Sequence, residues 1–209
     1  MAHHIVSQDI VSQVIVSQVI VSLIKDQEYR EIYSECIAIL LRQYPLPVSA
    51  KIASTSTLDN ILTFPQLETM AFHLSLQLQT LEARGCTLLF WQPSDILVVI
   101  LSTGQHLYVL AHLGQLVPLN QKDPKQLVLN YPTVFPFPSE RCAPELMKMD
   151  VLPFITQRSA SYYSLALMCL QLLRLQHLSL EKIQGTKLFY FLERCLKEDP
   201  VERVLLLYF

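Results

Sequence analysis

The sequence predicts a mainly helical fold of the α+β class, a group of apolar helices with one small β-hairpin region. Three observations carry that expectation. Apolar residues recur at intervals of three and four in several stretches. Two short runs rich in β-branched and apolar residues flank Gly104. The composition, 51% hydrophobic and 16% charged with only four glycines among 209 residues, is that of a compact chain able to bury a core.

Residues 5–24 hold a five-residue repeat: Ile5-Val6-Ser7-Gln8-Asp9, Ile10-Val11-Ser12-Gln13-Val14, Ile15-Val16-Ser17-Gln18-Val19, Ile20-Val21-Ser22. A period of five fits neither the strand period of two nor the helix period of 3.6, and the β-branched content argues for extended backbone. The expectation for 1–24 is a low-complexity segment without chemistry of its own. Its alternative is a strand that packs on the body or self-associates.

From Asp26 to Gln43, Tyr29, Ile32, Tyr33, Cys36, Ile39 and Leu40 fall on one helical face, which Tyr44-Pro45-Leu46-Pro47 ends. With the linker that follows, this helix makes up 25–59. Phe64 to Arg84 forms the next helix, with Leu67, Met70, Leu74, Leu78 and Leu81 on one stripe and Gly85 as its cap. Gly104 marks the turn between strands Ile96 to Ile100 and His106 to Ala111.

The stretch Gln115 to Cys142 carries Pro118, Pro124, Pro132, Pro136 and Pro138 and is expected to be irregular. Ser161 to Leu175 is apolar almost all round, the pattern of a helix buried at the centre of a domain. Helices at Lys187 to Lys197 and Val201 to Phe209 complete the chain, the last with Asp199 as N-cap and Pro200 in its first turn.

Charge and cysteine usage narrow the functional class. The formal net charge is −2 and Lys and Arg are scattered, so no basic face marks a nucleic-acid partner. Cysteines at 36, 86, 142, 169 and 195 have no C-x-x-C spacing and sit among apolar residues, which predicts buried free thiols, a reducing cytoplasmic setting and no metal site. No apolar run reaches the eighteen or so residues of a membrane span, and the start lacks the pattern of a secretory signal.

Three motifs go further. Cys142-Ala143-Pro144-Glu145-Leu146 is followed by Ser161-Tyr162-Tyr163-Ser164-Leu165-Ala166 and by Cys195-Leu196-Lys197-Glu198-Asp199-Pro200-Val201-Glu202-Arg203. In order and spacing these resemble the APE, D-x-[WY]-S-[hydrophobic]-G and C-L-x-x-D-P-x-x-R segments of eukaryotic-type protein kinases. The resemblance covers about residues 60 to 209 and implies the large C-terminal lobe of that fold, with the small lobe reduced or absent and 25–59 its remnant. It also implies that Glu145 and Arg203 form a buried ion pair tying the activation segment to the end of the chain.

The same resemblance implies lost chemistry. A kinase catalytic loop supplies an Asp base, a Lys near the γ-phosphate and an Asn for magnesium, and D-F-G supplies a further metal ligand. At the matching positions stand Phe90, Gln92, Asp95 and His112. A phenyl ring accepts no proton, and His does not replace a carboxylate for magnesium on phosphates. Asp95, an oxygen donor, remains a candidate metal ligand.

Ser161 stands where the family has an Asp that steadies the catalytic loop, and Leu88 and Leu89 leave that loop no polar group for it. No G-x-G-x-x-G occurs, and only Lys25 lies upstream of Glu28, Glu31 and Glu35, the candidates for the small-lobe helix Glu. Between the central helix and Lys187 only Gln176 to Thr186 remain, where active kinases carry a substrate-docking helix. The expected function is that of a pseudokinase-like domain acting through protein binding, without ATP, magnesium or phosphotransfer. The alternative is a divergent active serine/threonine-type kinase completed by unusual residues or a partner chain.

Overall fold

The computed structural model describes residues 2–24, 29–47, 50–58, 62–113, 116–130 and 137–205, with side chains of the first helix described from Gln13 onward. The fold is mixed α and β. Among the described residues five α-helices run in the order α1 (Ala2–Leu23), α2 (Arg30–Gln43), α3 (Phe64–Ala83), α4 (Ala160–Leu175) and α5 (Lys187–Cys195). The strands of the described residues are β1 (Ile52–Thr57), β2 (Cys86–Leu88), β3 (Ile96–Leu101), β4 (His106–Leu110), β5 (Leu116–Pro118), β6 (Gln126–Leu129) and β7 (Phe154–Gln157). They form three antiparallel sheets among the described residues, ordered β1-β3-β4, β2-β5 and β6-β7.

The repeat is helical, not extended. At about 100° per residue, five residues advance the helix by about 140° beyond a full turn, so successive Ile-Val pairs spiral round it and no single stripe forms. The helix uses the subset that meets the body: Val16, Ile20, Val21 and Ile24 are buried, whereas Val14, Ile15, Val19 and Leu23 stay exposed. Tertiary burial of that subset outweighs the local β preference of the β-branched residues.

Helix α2 buries Tyr33, Cys36, Ile37, Leu40 and Leu41. Glu31 faces solvent and Glu35 pairs with Arg84, while Lys25 and Glu28 lie outside the described residues. Strand β1 was not visible in the sequence, which read there as linker. Its residues Ala53, Ser54, Thr55, Ser56 and Thr57 are exposed or nearly so, so no alternation of apolar and polar residues announces it. Backbone pairing to β3 defines it instead, Ser54 opposite Ile100 and Thr57 opposite Leu97.

Helix α3 is the axis of the core. The side chain of Gln66 accepts the Thr63 N–H at 2.8 Å, the returning half of a capping box at its start. Gly85, at φ 75°, turns the chain out at its end. Leu67, Met70, Leu74, Leu78 and Leu81 are fully buried.

The same helix closes the outer edge of β4. His73 Nδ1 accepts the Tyr108 N–H at 3.3 Å, Gln77 Nε2 donates to the Tyr108 carbonyl at 2.9 Å, and Gln77 Oε1 accepts the Leu110 N–H at 2.9 Å. Backbone groups that an edge strand leaves open are thereby satisfied inside the core.

The proline-bearing stretch is less irregular than expected. Pro118 ends β5, and β6 follows Pro124 to pair with β7, Leu127 opposite Thr156. A second apolar cluster lies here, built from Leu89, Phe90, Leu127, Leu129, Phe137, Cys142, Ala143, Leu146 and Ala160. The positions of Pro132 and Pro136 lie outside the described residues.

The expected last helix does not form over Val201 to Leu205, and 206–209 lie outside the described residues. Val201 and Val204 are exposed, so the segment has no apolar face to bury, and Arg203 is drawn inward instead. Asp199 Oδ1 accepts the Val201 N–H at 2.9 Å, holding a turn where a helix start was expected. Among the described residues no helix is long and apolar enough to cross a membrane.

Candidate functional site

The loop between β2 and β3 carries three of the four positions read as degenerate catalytic residues, Phe90, Gln92 and Asp95, and its first half is core. Leu89, Phe90 and Trp91 are buried, and Phe90 lies in the second apolar cluster. Its ring is a packing element with no proton-accepting atom.

Trp91, the single Trp of the chain, fastens the loop to α4. Its backbone N–H donates to Ser164 Oγ at 2.8 Å and its indole N–H to Ser161 Oγ at 3.2 Å. Ser161 therefore has a polar partner after all, one that Leu88 and Leu89 do not supply. Ser164 in turn donates to the Arg141 carbonyl at 2.5 Å, so one hydroxyl joins the loop to the segment entering Cys142.

The second half of the loop is polar and converges with the end of the hairpin. Arg141 donates to Gln92 Oε1 at 2.6 Å, and Gln92 Nε2 donates to Asp95 Oδ1 at 3.1 Å. His112 Nδ1 lies 3.7 Å from the same Asp95 oxygen. The Asp95 side chain is 9% exposed and that of His112 55%, so the carboxylate is walled in while the imidazole reaches solvent. Burial pushes the Asp95 carboxyl above its ordinary range, against the pull of Gln92, His112 and Arg141.

A cavity of about 700 Å³ opens over these two residues. Leu23 and Ile24 at the end of α1, Thr57 of β1, and Leu97 and Ala111 of the hairpin form its walls. Among the described residues its polar equipment is one carboxylate and one imidazole beside Thr57 and Ser94. Among the described residues, no three His, Cys, Asp or Glu side chains converge anywhere as a metal-binding group.

Glu145 and Arg203 meet in a bidentate pair, NH1 to Oε1 at 2.6 Å and NH2 to Oε2 at 2.9 Å. The Arg203 side chain is fully buried and that of Glu145 16% exposed. Arg203 also donates to the carbonyls of Lys197 and Glu198 at 2.7 and 2.9 Å and lies over the Tyr163 ring, 4.7 Å from its centroid. Planar guanidinium geometry suits all of these contacts at once. The pair ties the turn Ala143-Pro144-Glu145 to the segment after α5.

Sequence reasoning singled out Phe90, Gln92, Asp95, His112, Glu145 and Arg203. The structure brings Gln92, Asp95 and His112 into one cluster and joins Glu145 to Arg203, with Phe90 apart in the apolar core. It adds Arg141, Ser164 and Trp91. A lone Trp within a loop otherwise read as degenerate is the one sequence signal that points to the last of these.

No protein-family model matches the chain, and no curated protein matches it.

Proposed function

We propose that this chain is a degenerate protein kinase-like protein, built mainly on the large lobe, that acts by binding other proteins and transfers no phosphate. The observation that carries the reading is the approach of His112 to Asp95, 3.7 Å across a gap of seventeen positions in the sequence. In a kinase the catalytic-loop Asn and the D-F-G Asp both hold magnesium on the ATP phosphates. Side chains at those two sequence positions converge in a kinase, and the open end of the β3–β4 hairpin brings the matching positions together here.

The bidentate Glu145–Arg203 pair supports the same architecture. The absence of phosphotransfer follows from residue types. Phe90 is buried in an apolar cluster at the position of the base, Gln92 replaces the Lys, and His112 replaces the metal-binding carboxylate. We place the protein in a reducing, cytoplasmic setting on the strength of five buried cysteines, all free.

Thermal melting of the full chain with and without ATP and magnesium tests the reading. A ligand that binds only the folded state raises the melting temperature by mass action. No shift is expected. A rise of several degrees that Asp95→Ala abolishes would instead support the divergent active kinase.

A further inference from the structure

A second cavity, of about 240 Å³, lies at the turn end of the β3–β4 hairpin, against the start of α3 and the end of α2. The hairpin separates it from Asp95 and His112 by roughly 17 Å, five strand residues at about 3.4 Å each. It belongs to no part of the kinase-like reading and stands without it.

The hydrogen bonding around it fixes one proton. Gln66 Oε1 is committed to the Thr63 N–H at the start of α3. The amide nitrogen of Gln66 is thereby turned toward His106 Nδ1, 3.2 Å away. An amide nitrogen only donates, so Nδ1 presents its lone pair and the ring proton sits on Nε2. The Tyr108 hydroxyl lies 3.4 Å from the same Nδ1. His106 Nε2–H has no partner among the described residues, and the residue lines the cavity.

The remaining walls set the ligand class. Leu46, Pro65, Leu107 and the ring of Tyr44 are apolar, Thr69 and Gln105 are polar but uncharged, and no Asp, Glu, Lys or Arg lines the space among the described residues. An ionic ligand would lose water without gaining a counter-charge. The volume falls below the ~300–1,000 Å³ of sites for drug-sized ligands and suits a single ring. We infer that this cavity binds a small, uncharged, single-ring molecule whose hydrogen-bond acceptor meets the Nε2–H of His106.

The test uses the full chain and three ring-matched probes, benzamide, benzoate and toluene, followed by backbone amide correlation spectra. Benzamide is expected to shift the amides of Gln66, Gln105 and Leu107 with a Kd on the order of 1 mM, as suits so few heavy atoms. Toluene, lacking the acceptor, and benzoate, lacking a counter-ion, should each bind about five-fold more weakly or worse. His106→Phe, which keeps a ring and removes the donor, should weaken benzamide by about five- to ten-fold. Absence of benzamide shifts, equal binding of toluene or benzoate, unchanged affinity in H106F, or shifts centred on Asp95 and His112 would each overturn the assignment. Should H106F fail to fold, the probe series on the unaltered chain decides alone.

Discussion

Gln77 of α3 holds Tyr108 of β4 at 2.9 Å through its amide nitrogen while its amide oxygen, also at 2.9 Å, takes the N–H of Leu110. One buried side chain thus stands in for the strand that β4 lacks on its outer side. Gln77→Leu keeps the volume and leaves a carbonyl and an N–H unsatisfied in the core. The expected loss is about 2–6 kcal/mol, at about 1–3 for each of the two stranded groups, read from urea unfolding. A change below half a kcal/mol would mean that water reaches that edge.

His73 makes stability depend on pH. Burial lowers its pKa to about 3 from an ordinary 6.5. Between those values the unfolded chain takes up a proton that the folded chain refuses, so stability falls as pH drops below about 6.5. By pH 5 the loss from this residue is about 2 kcal/mol. Asp95 and Glu82, whose carboxyls burial pushes up, act in the opposite sense. The His73 contribution is therefore the difference between the unaltered chain and His73→Gln, measured by chemical unfolding at pH 7 and pH 5; parallel curves would refute it.

Truncating one side of the Glu145–Arg203 pair leaves its partner largely buried without a counter-charge. Arg203→Met is expected to cost about 3–5 kcal/mol, and Glu145→Leu a similar amount. The double variant should lose less than the sum of the two, because neither charge is then stranded. Strict additivity in unfolding measurements would show that the two residues act separately.

The thiols should be inert while the chain is folded. Burial pushes Cys36, Cys142 and Cys195 up to about 12 and raises Cys86 and Cys169 as well. At pH 8 a shift from 9 to 12 cuts the thiolate fraction roughly a thousand-fold. Iodoacetamide should label all five in denaturant and none on the same timescale in the native protein. Rapid native labelling of Cys142 would show that the segment before Glu145 opens readily.

What the sequence disclosed depended on where each signal was local. Helix α3 was legible because Leu67, Met70, Leu74, Leu78 and Leu81 repeat at helical spacing and Gly85 ends it. The hairpin was legible from Gly104, which takes φ 81°. Strand β1 was not, because its exposed Ser and Thr residues record only a backbone pairing made forty residues later in β3. The repeat misled in the same way, since Val16 and Ile20 are helical by virtue of what they pack on. Of the candidate site, the residue types at Phe90, Gln92, Asp95 and His112 could be read in order, but Arg141 could not. Its contact with Gln92 spans forty-nine positions, and no spacing rule reaches that far.

The spiral of the α1 repeat has a consequence for how this chain can vary. Docking begins at Ile24 and runs backward through Val21, Ile20 and Val16, so only the last two units touch the body through described side chains. Each earlier unit is nearly a copy of the next. Gain or loss of a whole unit by replication slippage would lengthen or shorten the far end while the docked residues kept both identity and rotation. Changes of one or two residues within the last unit would instead turn the helix by about 100° per residue and unseat it. For the docked residues Val16, Ile20, Val21 and Ile24, a change of length in multiples of five beyond them keeps the phase, and a change within the last unit does not.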